Sequence, residues 1–255
     1  MEQIQQALKL FKRSQGQQDH QDSFQGERDY QDSFAHTKRV APIPSSLIAH
    51  RVLTTAPRGP FLEAYKILRI QILHRLRENN WSIIGVTSPG SGEGKTLVAA
   101  NLAISIAMEP NQTALLIDGN LRNPQVHELF GIENKGLADF LLDNVSLPDL
   151  LINPQIDRFC ILPAGGPLQN SVEALTLPKM KNFVEEMKHQ YSSCIVLFDL
   201  PPMLNNADVI GLAPMLDALV LVVEASRTTD KDVKKSISLL NGSLPIVGTI
   251  LNKAG

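Results

Sequence analysis

The sequence predicts an α/β fold, a doubly wound and mostly parallel sheet with helices on both faces. From Trp81 onward, short continuous apolar runs alternate with helical stretches. Continuous apolar runs are typical of strands that are covered on both faces, and regular alternation of strand and helix favours a parallel sheet. Ligands of such folds bind beyond the carboxyl ends of the strands, so we expect functional residues there.

The individual elements follow from the same patterns. The expected strands are 82–88, 113–118, 158–165, 193–199, 217–225 and 245–252. The expected helices between them are 95–108, 171–190 and 229–241, with shorter ones near 124–130, 136–142 and 206–213. A further helix is predicted to begin at Pro60, because proline suits a first helical turn, and its apolar residues fall roughly on one face.

The chain divides into two parts, a flexible N-terminal segment over 1–59 and a folded domain over 60–255. Apolar residues at helical spacing predict a short amphipathic helix over 2–13, although a helix of this length can equally be a frayed terminus. Four prolines predict an extended linker over 35–60.

A polar repeat lies within the N-terminal segment. The hexamer D-[HY]-Q-D-S-F occurs at 19–24 and again at 29–34. Its glutamine, aspartate and serine residues cannot bury a core, so we expect disorder or a repeat that binds a partner.

Composition excludes several classes of function. A net charge of −2 argues against a nucleic-acid partner. Cys160 and Cys194 lie in separate apolar runs and are expected to be buried, reduced thiols, and without a CxxC pair neither a zinc nor an iron–sulfur site is indicated. No apolar run approaches the roughly 18 residues of a membrane span. The N-terminus is charged throughout and has no signal-peptide core, so we expect a cytoplasmic location.

The strongest motif is G-E-G-K-T at 92–96, which follows one predicted strand and opens a helix. Glycines let backbone N–H groups surround phosphate oxygens, Lys95 can reach the β and γ phosphates, and the Thr96 hydroxyl can bind Mg²⁺. The strict phosphate-loop (P-loop, or Walker A) pattern requires glycine where Pro89 stands, so the motif is a variant. The alternative is a chance G-K-T. The predicted nucleotide-binding residues are Gly90, Ser91, Gly92, Glu93, Gly94, Lys95, Thr96 and Leu97.

Two aspartates close other buried strands. Asp199 ends "CIVLFD" and is predicted to hold Mg²⁺ as a Walker B residue, the alternative being a turn or capping aspartate. Asp118 ends "TALLID", where a carboxylate can act as a base for water or a hydroxyl. Arg122 can pair with Asp118 or support an interface.

Eight segments in order resemble the bacterial tyrosine kinases of capsule and exopolysaccharide systems, among the P-loop ATPases with a deviant Walker A motif. They are "EAYKILR", "SPGSGEGKT", "LLIDGNLRNP", "GLADFLL", "ILPAGGPLQNSVEAL", "IVLFDLPP", "DALVLVVEASRTT" and "GTILNKAG". The resemblance covers about 60–255. It implies ATP and Mg²⁺ as cofactors. The implied catalytic residues are Lys95, Asp118 and Asp199, and the implied metal-site residues are Thr96, Asp118, Asn120 and Asp199.

The resemblance also implies contacts with other chains. Glu63, Lys66 and Arg69 resemble the E-x-x-R-x-x-R helix of ring-like self-association, with lysine at the first arginine, so we expect a homo-oligomer. A membrane chain-length regulator, the polysaccharide co-polymerase, is expected as a separate partner chain that holds the protein at the inner face of the membrane. Adenine contacts are expected near Arg227 and Asn252, although Asn252 can simply cap a turn.

Two features depart from the family pattern. In this family a Walker A′ segment with the pattern D-x-D is expected, and Asp118 resembles its first aspartate. Asn120 stands at the second aspartate, where it keeps a side-chain oxygen but not the negative charge. The sequence ends at "LNKAG" without a tyrosine-rich tail, and its three tyrosines are Tyr30, Tyr65 and Tyr191. We expect phosphorylation of Tyr30, which lies in the repeat, or of a partner to replace that of a tail.

These features predict an ATP-dependent protein tyrosine kinase, or a kinase-like regulator, in exopolysaccharide or capsule biosynthesis and export. The alternative is a partition-type switch ATPase that acts as a scaffold without kinase activity. Asn120 and the absent tail favour that alternative. Gly90 stands where many partition ATPases carry a cross-dimer lysine, which argues against it. Other P-loop enzymes, such as small-molecule ligases, are a third option.

Overall fold

The computed structural model describes residues 37–53, 59–143, 145–190 and 193–254. The possible helix over 2–13, both copies of the hexamer, Tyr30 and Tyr191 lie outside the described residues.

One sheet organises the described part of the chain. Its eight strands are β1 (Lys38–Arg39), β2 (Ile83–Thr87), β3 (Thr113–Asp118), β4 (Ile152–Asn153), β5 (Phe159–Leu162), β6 (Cys194–Asp199), β7 (Ala218–Glu224) and β8 (Ile246–Asn252). Their order across the sheet is β1-β4-β5-β3-β6-β2-β7-β8. All neighbouring strands are parallel except β4 and β5, which are antiparallel. The predicted fold class is confirmed.

Helices connect the strands. They are α1 (Pro44–Ala49), α2 (Pro60–Asn79), α3 (Lys95–Ala107), α4 (Val126–Phe130), α5 (Leu137–Asp143), α6 (Leu147–Leu150), α7 (Ser171–Leu175), α8 (Pro178–Gln190), α9 (Asp208–Leu212) and α10 (Asp230–Leu239). The helix predicted over 171–190 is two helices. Pro178 has no backbone N–H to continue α7, and it begins α8 instead.

The core lies on both faces of the sheet. Along β3, Ala114 and Leu116 point into one hydrophobic cluster, and Leu115 and Ile117 point into the other. Because successive residues of a strand face opposite sides, continuous apolar strands require a helical layer on each side. Polar side chains, among them Asp118 and Asp199, gather at the carboxyl ends of the central strands.

Residues 37–53 differ from the extended linker that the prolines suggest. They form β1 and α1, and Leu47, Val52 and Leu53 are buried in the core. The buried Asn101 fixes the segment, because it accepts a hydrogen bond from the Leu53 N–H at 2.9 Å and donates to the Arg51 carbonyl. Proline at the first position of α1 is compatible with a helix, so the proline count misled the interpretation. The domain division after residue 59 stays a prediction.

Both cysteines are buried free thiols, as predicted. Burial raises the pKa of Cys194 to about 11, so this thiol is protonated and unreactive at neutral pH. Within the described ranges, no helix is both long and apolar enough to cross a membrane.

Candidate active site

The loop between β2 and α3 has the backbone shape of a phosphate cradle. Gly92 and Gly94 have φ values of 79° and 85°, a region that side-chain-bearing residues rarely adopt. At Gly94 a side chain would also collide with the Asn252 amide. Lys95 then begins α3, whose N-terminal amides add a positive dipole next to the cradle.

Glu93 braces this loop from within. It is buried, and its carboxylate accepts a hydrogen bond from the Gly90 N–H at 2.9 Å and another from the Thr228 hydroxyl. The Asn252 side chain donates to the Glu93 carbonyl at 2.8 Å. The ends of β7 and β8 therefore hold the loop in shape.

A cluster of charges at the ends of β7 and β8 extends this support. Lys253 donates to the Gly92 carbonyl at 2.8 Å and pairs with Glu224 at 3.1 Å. Arg227 also pairs with Glu224, at 3.0 Å. The sequence predicted Arg227 and Asn252 as nucleotide-site residues, but it did not indicate Thr228, Glu224 or Lys253. Their position at the carboxyl ends of neighbouring strands was the available signal.

Asp199 lies beneath the loop with no hydrogen bond to satisfy it. Its side chain is fully buried, and neither carboxylate oxygen has a hydrogen-bond partner among the described residues. The Lys95 ammonium is 3.7 Å away and also 3.2 Å from the Thr96 hydroxyl. Burial raises the pKa of Asp199, and the Lys95 charge and the nearby Thr96 hydroxyl oppose this in part. A buried carboxylate that is so weakly compensated is costly, so the site is suited to a cation.

Asp118 stands directly opposite Asp199 on the neighbouring strand. Its Oδ1 accepts a hydrogen bond from the Asn120 N–H, and its Oδ2 accepts from the N–H groups of Gln125 and Val126, at 3.0–3.1 Å. Burial and the charge of Asp199 raise the pKa of Asp118 to about 7, although the three donors lower it. Asp118 can therefore exchange a proton near neutral pH.

The loop after β3 places Asn120 beside these carboxylates. Asn120 is 3% exposed, and its Nδ2 donates to the Asn123 carbonyl at 2.7 Å. This bond fixes the orientation of the amide and leaves Oδ1 as its acceptor. Asn120 thus keeps one amide oxygen that this bond does not use, and its part in a metal site stays a prediction.

Arg122 pairs with Asp208 and not with Asp118. Its Nε lies 3.4 Å from Asp208 Oδ2, and the Ser171 hydroxyl donates to Asp208 Oδ1 at 2.7 Å. The suggested pairing with Asp118 is wrong because backbone amides already occupy that carboxylate. Asp208 was missed, since nothing in its sequence surroundings marks it.

The predicted self-association residues on α2 behave differently from one another. Glu63 and Lys66 pair at 2.7 Å and are exposed. Arg69 instead turns inward, donates to the Ser105 carbonyl at 3.0 Å and pairs with Glu109 at 3.3 Å. Arg69 therefore fastens α2 to α3 within one chain. The role of these residues in an oligomer stays a prediction.

The protein donors at this site fit a magnesium ion whose remaining ligands are nucleotide phosphates and waters. Across the described residues, no three or more His, Cys, Asp or Glu side chains form a metal cluster. Magnesium in phosphate-transfer sites is held by one or two carboxylates together with phosphates and waters. The available protein ligands are Thr96, Asp118, Asn120 and Asp199.

A phosphate loop on a doubly wound sheet, with a buried carboxylate closing the adjacent strand, defines a P-loop ATPase. A scan against protein-family models finds no match. Relatives are nevertheless clear. Tyrosine-protein kinase YwqD of Bacillus subtilis is 31% identical over 79% of this chain and 84% of its own length. The putative tyrosine-protein kinase CapB of Staphylococcus aureus is 27% identical over 77% of this chain and 86% of its own length. The chain belongs to the family of bacterial tyrosine-protein kinases.

Longer relatives and solved structures agree with this. The succinoglycan biosynthesis transport protein ExoP of Rhizobium meliloti is 30% identical over 80% of this chain, which spans only 26% of ExoP. The chimerical protein CapA2B2 superposes with a TM-score of 0.72 and 26% identity, covering 88% of this chain and 97% of its own. The Pyrococcus horikoshii MinD complexed with Mg-ADP superposes with a TM-score of 0.57 and 26% identity, covering 68% of this chain and 71% of its own.

Proposed function

We propose that this protein is a MgATP-dependent protein tyrosine kinase that regulates capsule or exopolysaccharide biosynthesis. The observation that carries the proposal is the unsatisfied carboxylate of Asp199, buried between Lys95 and the opposing Asp118. Such a carboxylate is stabilised when a cation and its phosphate ligands complete the site. The family to which the chain belongs supports tyrosine as the acceptor.

The loop residues bind and orient the nucleotide. Backbone N–H groups around Gly92 and Gly94 contact phosphate oxygens, Lys95 contacts the β and γ phosphates, and the Thr96 hydroxyl and Asp199 hold Mg²⁺. Bound MgATP supplies the phosphoryl group and the neutralising cation. Most of the catalytic effect then comes from positioning and charge.

Asp118 takes the proton of the acceptor hydroxyl. Its Oδ1 has one backbone donor whereas its Oδ2 has two, so Oδ1 has a free lone pair for this proton. Its place at the carboxyl end of β3, opposite Asp199, puts this oxygen beside the proposed metal site.

Arg227 and Asn252 flank the loop from the side of β8 and are proposed to contact the adenine. Asn252 donates directly to the Glu93 carbonyl, and Arg227 pairs with Glu224, whose second partner Lys253 donates to the Gly92 carbonyl. Binding of the base and the shape of the loop are therefore linked.

The biological setting is proposed from the relatives. ExoP is named as a succinoglycan biosynthesis transport protein, and we extend an exopolysaccharide role to this chain. The protein is proposed to act at the inner face of the membrane by binding a separate chain-length regulator. The exposed Glu63 and Lys66 of α2 are proposed to contribute to a homo-oligomer.

A switch ATPase without kinase activity is the second candidate, and the likeness to MinD favours it. The kinase domain of Escherichia coli ETK superposes more closely, with a TM-score of 0.71 and 26% identity. The two candidates differ in one product. Both hydrolyse ATP, but only the kinase produces phosphotyrosine.

The test is an assay of phosphotyrosine with labelled ATP, a tyrosine-containing acidic peptide and the purified protein. Lys95→Met should reduce both nucleotide binding and phosphotyrosine at least about a hundredfold, because the phosphate contact is lost. Lys181→Met, on the surface of α8, is the matched control and should have no effect. ATP turnover without any phosphotyrosine would identify a switch ATPase, and turnover unchanged by Lys95→Met would refute the phosphate-loop assignment.

A further inference from the structure

Arg122 is the one charged side chain on the loops that surround the two buried aspartates. The neighbouring strands β5, β3 and β6 are parallel, so all three end at this edge of the sheet. Every residue except Arg122 is uncharged in the loops that follow them, which are 163–170, 119–125 and 200–207. These loops therefore carry a single positive charge.

A tight turn keeps the Arg122 side chain out of the core. The turn spans 120–123 and is closed by a hydrogen bond of 3.1 Å from the N–H of its last residue to the carbonyl of its first. Leu121, its second residue, is fully buried, and the Leu121 carbonyl accepts a hydrogen bond from the Leu168 N–H at 2.8 Å. Leu121 thus anchors the turn, and the next side chain, that of Arg122, is 42% exposed.

A buried carboxylate fixes where the Arg122 guanidinium lies. Its Nε is 3.4 Å from Oδ2 of the fully buried Asp208, and the Ser171 hydroxyl donates to Oδ1 of the same carboxylate at 2.7 Å. Ser171 and Asp208 begin α7 and α9, so the elements that follow β5 and β6 hold the arginine that follows β3. A guanidinium carries five N–H donors, and the contact through Nε leaves those of its two Nη atoms for another acceptor.

An acceptor hydroxyl at Asp118 would lie within reach of this guanidinium. Asp118 and Arg122 are four residues apart in sequence, so their Cα atoms are separated by at most about 13–14 Å. The Asp118 carboxylate is bonded to backbone amides on both sides of Arg122, at Asn120 and Gln125, so the loop curves around this carboxylate. In an extended peptide, residues one to three positions from a tyrosine lie about 3–10 Å from it. A residue beside the acceptor tyrosine can therefore meet Arg122.

We propose that Arg122, oriented by Asp208, selects acceptor tyrosines that have a glutamate or aspartate close by in their sequence. The inference rests on the proposed kinase function and names the class of its substrate, a protein segment with a carboxylate beside the tyrosine. A carboxylate accepts two parallel N–H bonds from a guanidinium, and the opposite charges strengthen both. Arg122 contacts the substrate, whereas Asp208 and Ser171 are positioning residues that act through Arg122.

Paired peptides test this selection. Both contain one tyrosine, and they differ only in whether the residues that flank it are glutamate or glutamine. For the wild-type protein, kcat/KM should be about five- to tenfold higher with the glutamate peptide, mainly through a lower KM. Arg122→Met should abolish this preference. Arg77→Met is the matched control and should keep it, because Arg77 is exposed near the end of α2 that leads into the opposite edge of the sheet.

The preference is a ratio measured on one sample, so a loss of folded protein does not change it. Arg122→Lys keeps the charge but not the paired N–H groups, and it should retain part of the preference. If Arg122→Met lowered kcat/KM equally for both peptides, Arg122 would act in stability or in the transfer step, and the inference would be overturned. Equal kcat/KM for the two peptides with the wild-type protein would overturn it as well.

Asp208→Asn tests the orientation of Arg122. The amide preserves the shape of the side chain and removes the charge that holds the guanidinium. We expect the KM of the glutamate peptide to rise at least about twofold more than that of the glutamine peptide, while kcat changes alike for both. An unchanged ratio of the two KM values would show that Asp208 only stabilises the fold, and would overturn its positioning role.

Direct binding separates this inference from the proposed function. The same two peptides, with phenylalanine in place of tyrosine and a fluorescent label, report affinity by anisotropy without any phosphoryl transfer. The wild-type protein should bind the glutamate peptide more tightly, and high salt should reduce the difference, because it screens exposed charges. Absence of phosphotyrosine on both tyrosine peptides would refute the kinase function and, with it, the selection of an acceptor. Phosphorylation of both with equal kcat/KM, together with equal affinity, would refute the inference alone.

Discussion

Asp118 and Asp199 occupy paired positions at the ends of two adjacent parallel strands, and both side chains are completely buried. Burial raises the pKa of each, and the charge of Asp199 raises that of Asp118 further. Two neighbouring carboxylates in a low-dielectric environment repel each other and favour a proton or a cation between them. The pair of carboxylates therefore carries an electrostatic cost that the proposed Mg²⁺ would relieve.

Asp199→Asn should stabilise the ligand-free protein at pH 8 by roughly 1–3 kcal/mol, because relief of the repulsion between two buried carboxylates outweighs loss of the 3.7 Å ion pair with Lys95. The same change should abolish magnesium-dependent nucleotide binding. Urea unfolding and nucleotide titration check the two effects. Asp157→Asn, an exposed site, is the control and should change neither. Lower stability of Asp199→Asn at pH 8 would show that Lys95 already compensates this carboxylate.

The protonation of Asp118 should give the ligand-free protein a specific pH dependence. Its pKa is about 7 in the folded protein against 3.8 ordinarily. The folded state therefore binds this proton more tightly than the unfolded state. The associated stability is fully present below pH 3.8 and is lost as the pH rises through about 7, up to about 4 kcal/mol in total.

Carbon-13 NMR of the Asp118 carboxyl group measures this directly. We expect a midpoint near pH 7 in the wild type and a lower midpoint in Asp199→Asn, because the neighbouring charge is gone. An Asp118 that titrates near its ordinary value in both proteins would mean that its backbone donors outweigh its burial.

Much of the fold follows from pattern alone, since each predicted sheet strand has a counterpart in the structure. Local motifs and strand ends mark the candidate site residues Lys95, Asp118 and Asp199 in the sequence. The partners of Glu93 and Arg122 could not be predicted from sequence, because Thr228 and Asp208 approach them from distant parts of the chain. The strand β1 was missed because two residues carry no periodic signal.

Gly94→Ala should destabilise the protein by roughly 1–3 kcal/mol and weaken nucleotide binding. Position 94 has a φ of 85°, and an added methyl group would collide with the Asn252 amide. Gly90→Ala is the matched change in the same loop. Its nearest neighbour would be Glu93 Oε1 at 3.6 Å, so its unfolding free energy should change by less than about 1 kcal/mol. If both variants lost the same unfolding free energy, the positive φ angle at Gly94 would not be the reason that this position requires glycine.

Thr228→Val should lower the free energy of unfolding by about 1–3 kcal/mol, because it removes the hydroxyl that donates to the buried carboxylate of Glu93. The Glu224 N–H also loses the acceptor that Thr228 provides at 2.8 Å. Thr228→Ser keeps the hydroxyl and should retain most of the stability in thermal unfolding. If serine behaves like valine, the methyl group of Thr228 matters and the hydrogen bonds do not.

Arg122→Met should destabilise the protein by about 1–2 kcal/mol, because the fully buried Asp208 loses the cation that faces its Oδ2. The partial exposure of Arg122 keeps the effect below that of a fully buried pair. Asp208→Asn in the Arg122→Met background should recover part of the loss, since a neutral amide at position 208 needs no cation. Chemical denaturation of the two single variants and the double variant gives the coupling energy, which we expect to be about 1 kcal/mol. Additive losses would show that the 3.4 Å approach of Arg122 to Asp208 contributes no net stability, and that Ser171 alone satisfies the carboxylate.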